Sequence, residues 1–321
     1  MSSAADLRRF RAALDRRLGW AFDDADVDHL GKLLDERAAE HRLSVPDYLN
    51  RLDARPWTDE MTELVERLSI TETYFFRHGE QFRALREEAL PERAAARSAQ
   101  RVLRMLSVAC SSGEEAYTLA IVGRQVRPDP DWIIDVVGID ANQQMLRKAA
   151  AGWYAGWSLR ETPDAVRHRW FQPGEGGYHV VEEIRRLTQF RQHNVADEDA
   201  TLWRPEQYDV IFCRNLLMYL TAGAAEALIA KMTAALAPGG FLFLGHTDSL
   251  GSEPAGLELR HTHHTFYYRR LGGPEPVPGA DTAAGATEAD RDEPAAAEQD
   301  PYNRALALLR EERFADALAL T

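Results

Sequence analysis

Four expected strands, three of them apolar runs, end in residues able to touch a ligand. Leu103–Val108 is followed by Ala-Cys-Ser-Ser-Gly-Glu-Glu over 109–115, and Trp132–Ile139 ends at Asp140. Leu187–Gln192 leads to Asn194 and Val195, and Tyr208–Cys213 leads to Asn215. Ligands of open parallel sheets bind beyond the carboxyl ends of the strands. An acidic residue at the end of the second run can accept hydrogen bonds from both hydroxyls of a ribose. Small residues after the first run let a ligand approach the backbone closely. The G-x-G-x-x-G pattern that seats a pyrophosphate on a helix N-terminus is absent. Glu114 and Glu115 stand there instead. They would repel a phosphate, yet tolerate a ligand with a ribose, an adenine and a positive charge. S-adenosylmethionine, a sulfonium without a phosphate, has those features. The glutamates would also suit a helix N-terminus through its dipole alone.

The elements that position these residues follow from periodicity. Residues 1 to about 90 read as helical: Leu7, Phe10, Leu14 and Leu18 form one apolar face, with Arg8, Arg9, Arg16 and Arg17 flanking or opposing it. That basic face is either a solvated surface or a docking face for an acidic partner. Ser44 before Pro46 marks one helix start, and Thr58 opens another helix towards Leu68. From about residue 101 short apolar runs alternate with helical patterns at 114–125, 142–150 and 221–236, which predicts a mostly parallel sheet covered on both faces. Phe241–Leu244 adds a strand. Tyr178–Val181 suits a small β hairpin outside the main sheet, and Leu257–His261 with Thr265–Arg269 suits a closing antiparallel pair.

The chain has 321 residues and a formal charge of −13. Eight acidic residues and one arginine fall between Glu275 and Asp300, so that stretch carries −7 and the rest −6. This balance argues against a nucleic-acid binder and against docking on an anionic membrane. Cys110 and Cys213 sit in apolar runs and suit free thiols in a reducing compartment. The N-terminus lacks a signal-peptide core, and no run reaches the ~18 apolar residues of a membrane helix; a cytoplasmic, soluble protein without membrane insertion is expected. Residues 272–300 lack aromatic side chains and read as a disordered acidic linker. Residues 301–321 carry either the start of a tetratricopeptide-like repeat or a lone helical hairpin. The chain would then be a piece of a longer protein.

Two further constellations carry little. His261 and His263 would share one strand face with His264 on the other, and without a further ligand nearby they do not imply a metal. Ser112, His246 and Asp248 make a triad only on paper, because Ser112 lacks the G-x-S-x-G elbow.

Five ordered segments resemble one family. Ile70–Arg77, ITETYFFR, resembles the N-E-T-x-F-F-R motif of the CheR-type chemoreceptor glutamate methyltransferases. VACSSGEEAYTLAI is similar to that family's cofactor loop, GIDANQQMLRKAAAGWY to its second-strand motif, YDVIFCRNLLMYL to its fourth-strand motif, and LAPGGFLFLGHTDSL to its fifth-strand segment. The resemblance spans roughly residues 5–270, and the ordered set is far more specific than any one motif. Two positions depart from the pattern. Thr71 replaces the usual Asn, which puts one cofactor hydrogen bond in doubt, and Thr247-Asp248 replaces the usual Ser-Glu.

The resemblance implies an α/β class I S-adenosylmethionine-dependent methyltransferase, Rossmann-like, with a mostly parallel seven-stranded sheet preceded by a small helical domain. The expected division is 1–90 helical domain, 91–271 methyltransferase domain with a small β subdomain around 170–187, 272–300 linker and 301–321 repeat start. It places Thr71, Thr73, Arg77, Glu115, Asp140, Asn194, Val195, Asn215 and Leu216 on cofactor contacts, with Glu114 the alternative to Glu115. Arg77 and Tyr219 fall beside the transferred methyl. Read from order alone, Arg77 would be a structural ion pair and Tyr219 a packing residue; Phe75 and Phe76 would be core anchors. The implied reaction moves a methyl group from S-adenosylmethionine to receptor glutamates, leaving S-adenosylhomocysteine. The implied partner is the cytoplasmic helical domain of a chemoreceptor, met by a monomer, with another protein reached through the repeat. A catalytically silent cofactor-binding scaffold and a small-molecule carboxyl methyltransferase are the alternatives.

Overall fold

Phe10, Leu14 and Leu18 recur at helical spacing because they form the buried stripe of α1 (Ala4–Leu18). Ser3 and Asp6 close a capping box at its start, and Gly19, at φ 72°, ends it in the left-handed conformation that glycine adopts most readily. α2 (Val27–Glu40), α3 (Val45–Ala54) and α4 (Thr58–Leu68) pack on that stripe through Leu30, Leu34, Tyr48 and Leu64. Ser44 caps α3 by accepting from the Asp47 backbone N–H at 3.2 Å. Arg9 and Arg16 of the basic face both pair with Asp53, at 2.7 Å, so part of that face is committed within the chain. The computed structural model describes residues 2–54, 57–246, 248 and 256–272. The linker and repeat readings therefore lie outside the described residues from 273 onwards, as does Thr247.

Glu60 is buried among these helices. Burial raises its pKa, but donors from Arg37, Tyr48 (2.6 Å) and His41 (2.6 Å) outweigh burial and hold the carboxyl below its ordinary range.

A short helix α5 (Gly79–Ala84), one π-helical turn and α6 (Leu90–Ala96) lead into the sheet. The alternating pattern then appears as β1 (Val102–Val108), α7 (Glu114–Val126), β2 (Ile133–Asp140) and α8 (Gln143–Ala151), the last capped by the Asn142 side chain. β3 (Trp153–Tyr154), α9 (Asp164–Trp170), β4 (Phe171–Gly174) and β5 (Gly177–Val180) make a separate excursion, in which the strands form a small antiparallel sheet in the order β3-β5-β4. α10 (Glu182–Arg185), β6 (Thr188–Gln192), β7 (Tyr208–Cys213), α11 (Ala222–Ala235), β8 (Leu236–Leu244), β9 (Leu257–Thr262) and β10 (Thr265–Arg270) complete the described chain.

The main sheet has seven strands in the order β6-β2-β1-β7-β8-β10-β9. All neighbours pair in parallel except at β10, which runs antiparallel to both β8 and β9. This is the mostly parallel seven-stranded sheet preceded by helices that the resemblance implies. Going outward from β1, the chain builds β2 and β6 on one side, then returns to build β7 and β8 on the other. The carboxyl ends of β1 and β7 therefore face the crevice at this switch point. β7 is buried along its whole length, which is why YDVIFC reads as an unbroken apolar run.

Two local expectations need correction. β8 begins at Leu236, not at Phe241, and continues through Pro238-Gly239-Gly240 with a register irregularity opposite Tyr208/Val210. His261 and His263 do not share a strand face. β9 ends at Thr262, and His263 and His264 form the two-residue turn with φ of 53° and 59°, as a type I′ hairpin requires. Among the described residues no group of three or more His, Cys, Asp and Glu is placed to hold a metal.

Far from the strand carboxyl ends, buried Asp209 accepts from Arg93 at 2.9 Å, Arg97 at 2.8 Å and the Arg104 backbone N–H at 3.0 Å. It ties α6 to the first residues of β7. Asp209→Ala would leave two guanidinium groups without their acceptor, and is expected to cost about 3–5 kcal/mol. A urea titration should show a lower midpoint at unchanged slope.

Candidate active site

A cleft of about 830 Å³ lies over the carboxyl ends of β1, β2, β6 and β7. It is walled by Ala109–Ser111 after β1, Asp140 and Ala141 at the end of β2, His193–Val195 after β6, and Arg214–Leu216 after β7. Residues 67–73 and Arg77 close one side. Trp20–Asp23, Asp26 and His29, from the connection between α1 and α2 and the start of α2, close another. That connection is fastened by backbone bonds: Ala21 N–H donates to the Tyr219 carbonyl at 2.9 Å, and Thr221 N–H to the Gly19 carbonyl at 2.8 Å.

The turn after β1 sets the floor. Ala109 and Ser111 have φ of 57° and 49°, and Gly113 has φ 93°. A Cβ on Gly113 would lie 2.7 Å from Ala149 and 2.9 Å from the Phe190 ring. Glycine thus lets α7 start directly against α8 and β6. Phe76, His78 and Asn215 are also left-handed, at 58°, 60° and 57°. Non-glycine residues in that region cost about 1–3 kcal/mol each and persist where neighbours hold them. Here the holders are visible. Ser111 N–H donates to Asp140 at 2.7 Å, Phe76 N–H to the Thr118 hydroxyl at 3.3 Å, and Asn215 N–H to Asp248 at 2.7 Å.

Asp140 uses one oxygen for Ser111 N–H and the other for Asn142 N–H, both at 2.7 Å. Each oxygen retains a lone pair for a ligand. Burial raises its pKa above the ordinary aspartate range, against the pull of these donors. Glu115 lines the cleft, with Ser107 Oγ on one oxygen at 2.7 Å and Arg214 Nε on the other at 2.6 Å. Glu114 does not: its carboxylate accepts from Ser112 at 2.7 Å behind the wall, and burial raises its pKa. Of the two glutamates left open by sequence, Glu115 is the one at the cleft.

The remaining candidates gather on the same cleft. Thr71, Thr73, Arg77, Asn194, Val195, Asn215, Leu216 and Tyr219 all line it. Asn194 spends its amide on the Arg17 carbonyl, at 3.0 Å, and so fastens α1 to the end of β6. Arg77 Nη1 donates to the Glu72 carbonyl at 3.0 Å; no ion pair to a helix is formed among the described residues. Phe75 is a fully buried anchor, whereas Phe76 is half-buried. Ser112 donates to Glu114, Asp248 Oδ2 accepts from the Asn215 and Gly245 N–H groups, and no bond joins either residue to His246 among the described residues, so they form no triad.

The residues fit a ligand with two adjacent hydroxyls and a positive centre. Two carboxylates reach the cleft floor, and the buried cation there, Arg214, is already paired with Glu115. The model of the CheR methyltransferase, SAM binding domain, matches residues 71–266, more than half of the chain. The chain belongs to the CheR methyltransferase family. It is an S-adenosylmethionine-dependent methyltransferase of the class I fold. Chemotaxis protein methyltransferase 2 of Vibrio cholerae is 30% identical over 82% of this CheR-family chain and 92% of its own length. Chemotaxis protein methyltransferase 1 of Pseudomonas aeruginosa is 29% identical over 84% of this chain and 99% of its own. The probable biofilm formation methyltransferase WspC of the same species is 30% identical over 82% of this chain, but the match spans only 61% of that longer protein. Among solved structures, an O-methyltransferase family protein from Burkholderia thailandensis aligns over 68% of this chain and 60% of its own at 15% identity and a TM-score of 0.37, too distant to bear on the chemistry.

Sequence reasoning missed two parts of this CheR-family site. Arg214 sits beside the chosen Asn215 within YDVIFCRN, and a charge closing a buried strand was the available signal. The wall from Trp20 to His29 left no such signal, because backbone bonds bring it there. Gly113→Ala is expected to destabilise the protein by more than about 1 kcal/mol, since φ 93° and the contact with Ala149 both oppose a side chain. Thermal unfolding measures that loss, and titration with S-adenosylhomocysteine should show weaker binding as the turn shifts.

Proposed function

We propose that this chain transfers a methyl group from S-adenosylmethionine to glutamate side chains of a chemoreceptor, forming methyl esters in chemotaxis or a related chemosensory pathway. The observation that carries the reading is the placement of Arg77 and Tyr219 on the same cleft as Asp140. The names borne by the relatives, chemotaxis protein methyltransferases, support the acceptor.

Bound S-adenosylmethionine supplies the methyl group on a positive sulfur and leaves as S-adenosylhomocysteine. Asp140 holds the ribose hydroxyls with the lone pairs left beside Ser111 and Asn142. Glu115, Asn194, Val195, Asn215, Leu216, Thr71 and Thr73, which line the cleft, would hold the remainder of the cofactor. A glutamate acceptor is ionised at neutral pH, so the chain needs no base. Its task is to hold the carboxylate in line and keep water away, which lowers the barrier through orientation. Arg77 fixes one carboxylate oxygen by a charge-assisted hydrogen bond. Tyr219, 38% exposed at the mouth, orients the oxygen that attacks. No proton changes hands in the transfer.

The helices α1 to α4 and the sheet, on whose core α5 and α6 pack, act as the two folded parts, with the cleft between them. The protein works as a cytoplasmic monomer; among the described residues no helix is long and apolar enough to cross a membrane. The repeat-like pattern at 301–321, outside the described residues, is read as the start of a docking module for another protein.

The deciding experiment incubates the protein with methyl-labelled S-adenosylmethionine and receptor cytoplasmic fragments. Base-labile label on the fragments is expected. Tight cofactor binding with no labelled receptor would leave a silent scaffold, and label in a small carboxylic acid alone would make it a metabolite enzyme. Arg77→Ala should lower kcat/KM for the receptor by about 100-fold and weaken cofactor binding much less. A parallel loss of both would make Arg77 a binding or folding residue.

Cofactor affinity should also depend on pH through Asp140. Its carboxyl has a raised pKa, so protonation removes its charged acceptor as pH falls, beginning above the ordinary aspartate range. Calorimetric titrations should show affinity at neutral pH that declines on acidification. In Asp140→Asn the affinity should be lower throughout, and this acid limb should disappear.

A further inference from the structure

The loop that carries Arg77 is pinned along its backbone. Ser111 Oγ donates to the Thr71 carbonyl at 3.2 Å, Phe75 N–H to the Ser158 carbonyl at 2.9 Å, and Arg214 Nη1 to the Arg77 carbonyl at 2.5 Å. The Arg77 side chain has less to hold it: one bond to the Glu72 carbonyl at 3.0 Å, and the ring of Tyr74, whose centroid lies 5.7 Å from the guanidinium carbon. That distance is within the roughly 6 Å over which a cation is attracted to an aromatic face.

Tyr74 is itself clamped. The Arg160 guanidinium lies 3.6 Å from its ring centroid and 4.4 Å from that of Trp157. Arg160 also donates to the Trp157 carbonyl at 3.0 Å and approaches Glu72 at 3.9 Å. Arg160 therefore stacks on both rings, and Trp157 belongs to the same short turn whose Ser158 carbonyl receives Phe75. The turn at 156–160 thus fixes both the backbone and the one aromatic ring under Arg77.

We propose that Tyr74, held by Arg160, which itself stacks on Trp157, is a positioning residue that sets the direction of the Arg77 guanidinium for the acceptor carboxylate. This rests on the reading of Arg77 given above. An aromatic face suits the task because it attracts the cation without supplying a carboxylate that would pair with it. Arg77 is thereby directed yet left with donors for the acceptor. A glutamate in place of Tyr74 would neutralise the very charge that the acceptor needs.

The test compares Tyr74→Phe, which keeps the ring, with Tyr74→Leu, which removes it, in wild-type and Arg77→Ala backgrounds. Tyr74→Leu is expected to raise the receptor-fragment KM by about 3–10-fold, the range of a partly desolvated cation–π contact, with cofactor affinity within about twofold. Tyr74→Phe should stay within about twofold of wild type. Affinity for the fragment in the presence of S-adenosylhomocysteine, measurable without turnover, should fall on Tyr74→Leu but not fall further in Arg77→Ala. The proposal is overturned if the leucine variant binds and turns over like wild type, loses cofactor affinity to the same degree, or acts equally without Arg77.

A measurement free of any acceptor separates this proposal from the functional reading. In NMR of arginine-labelled protein, the Arg77 Nε–Hε signal should be ordered in wild type and Tyr74→Phe, and motionally averaged in Tyr74→Leu. An unchanged signal sinks the role of Tyr74 whatever the acceptor proves to be. Failure of the wild type to methylate receptor fragments sinks the receptor reading instead, and leaves the NMR comparison to decide Tyr74.

Discussion

The site hangs on one buried ion pair. Arg214 at the end of β7 meets Glu115 in the first turn of α7, with Nε 2.6 Å from Oε2. Glu115 is also held by Ser107 of β1, and Arg214 reaches the Arg77 carbonyl and, at 3.2 Å, Gln81 Oε1. Gln81 in turn donates to the Leu244 carbonyl at the end of β8 at 2.6 Å. One connected set of hydrogen bonds thus joins three neighbouring strands, the helices α5 and α7 and the Arg77 loop at the edge where the cleft opens. Burying two charges is costly unless each finds every partner it needs. Here the partners are supplied by the elements that must be brought into register, so the pair specifies geometry as well as satisfying its charges.

The same pair sets the charge on the cleft floor. Cancelling Arg214 against Glu115 leaves the floor with Asp140 and no buried cation free for a phosphate among the described residues. Arg77, at the side, bonds the Glu72 carbonyl and forms no ion pair among the described residues. Charge of both signs thus reaches one cavity, with Asp140 held by the Ser111 and Asn142 N–H groups and Arg77 by the Glu72 carbonyl. The left-handed residues at Phe76, His78, Ala109, Ser111 and Asn215 are where the chain bends to achieve this.

Much of this architecture was legible in sequence. The apolar runs at 103–108, 132–139 and 208–213 foretold strands, and the polar residues that stop them foretold the cleft, because a buried strand can change character only where it leaves the sheet. Other features were not legible, for physical reasons. Adjacent helical residues point about 100° apart, so choosing Glu115 over Glu114 needs the phase of α7 against β1, which composition does not carry. Arg214 reads as a strand terminator until its partner, 99 positions away, is brought beside it. The start of β8 was obscured because Pro-Gly-Gly marks a turn far more often than the irregular opening of a central strand. The wall from Trp20 to His29 was hidden most completely, since its attachment uses backbone groups that every residue possesses.

That attachment has a consequence for biosynthesis. Gly19 and Ala21 find their partners at residues 219 and 221, some 200 positions later. The helices before residue 70 are made well before these partners, so the edge that will wall the cleft is at first unpaired. At translation speeds of about 5–20 residues per second, that edge waits roughly 10–40 s for its anchor. Until β7 and the turn after it are made, the wall of the cleft lacks these two anchoring bonds. The finished cleft is a seam between parts of the fold made far apart in time.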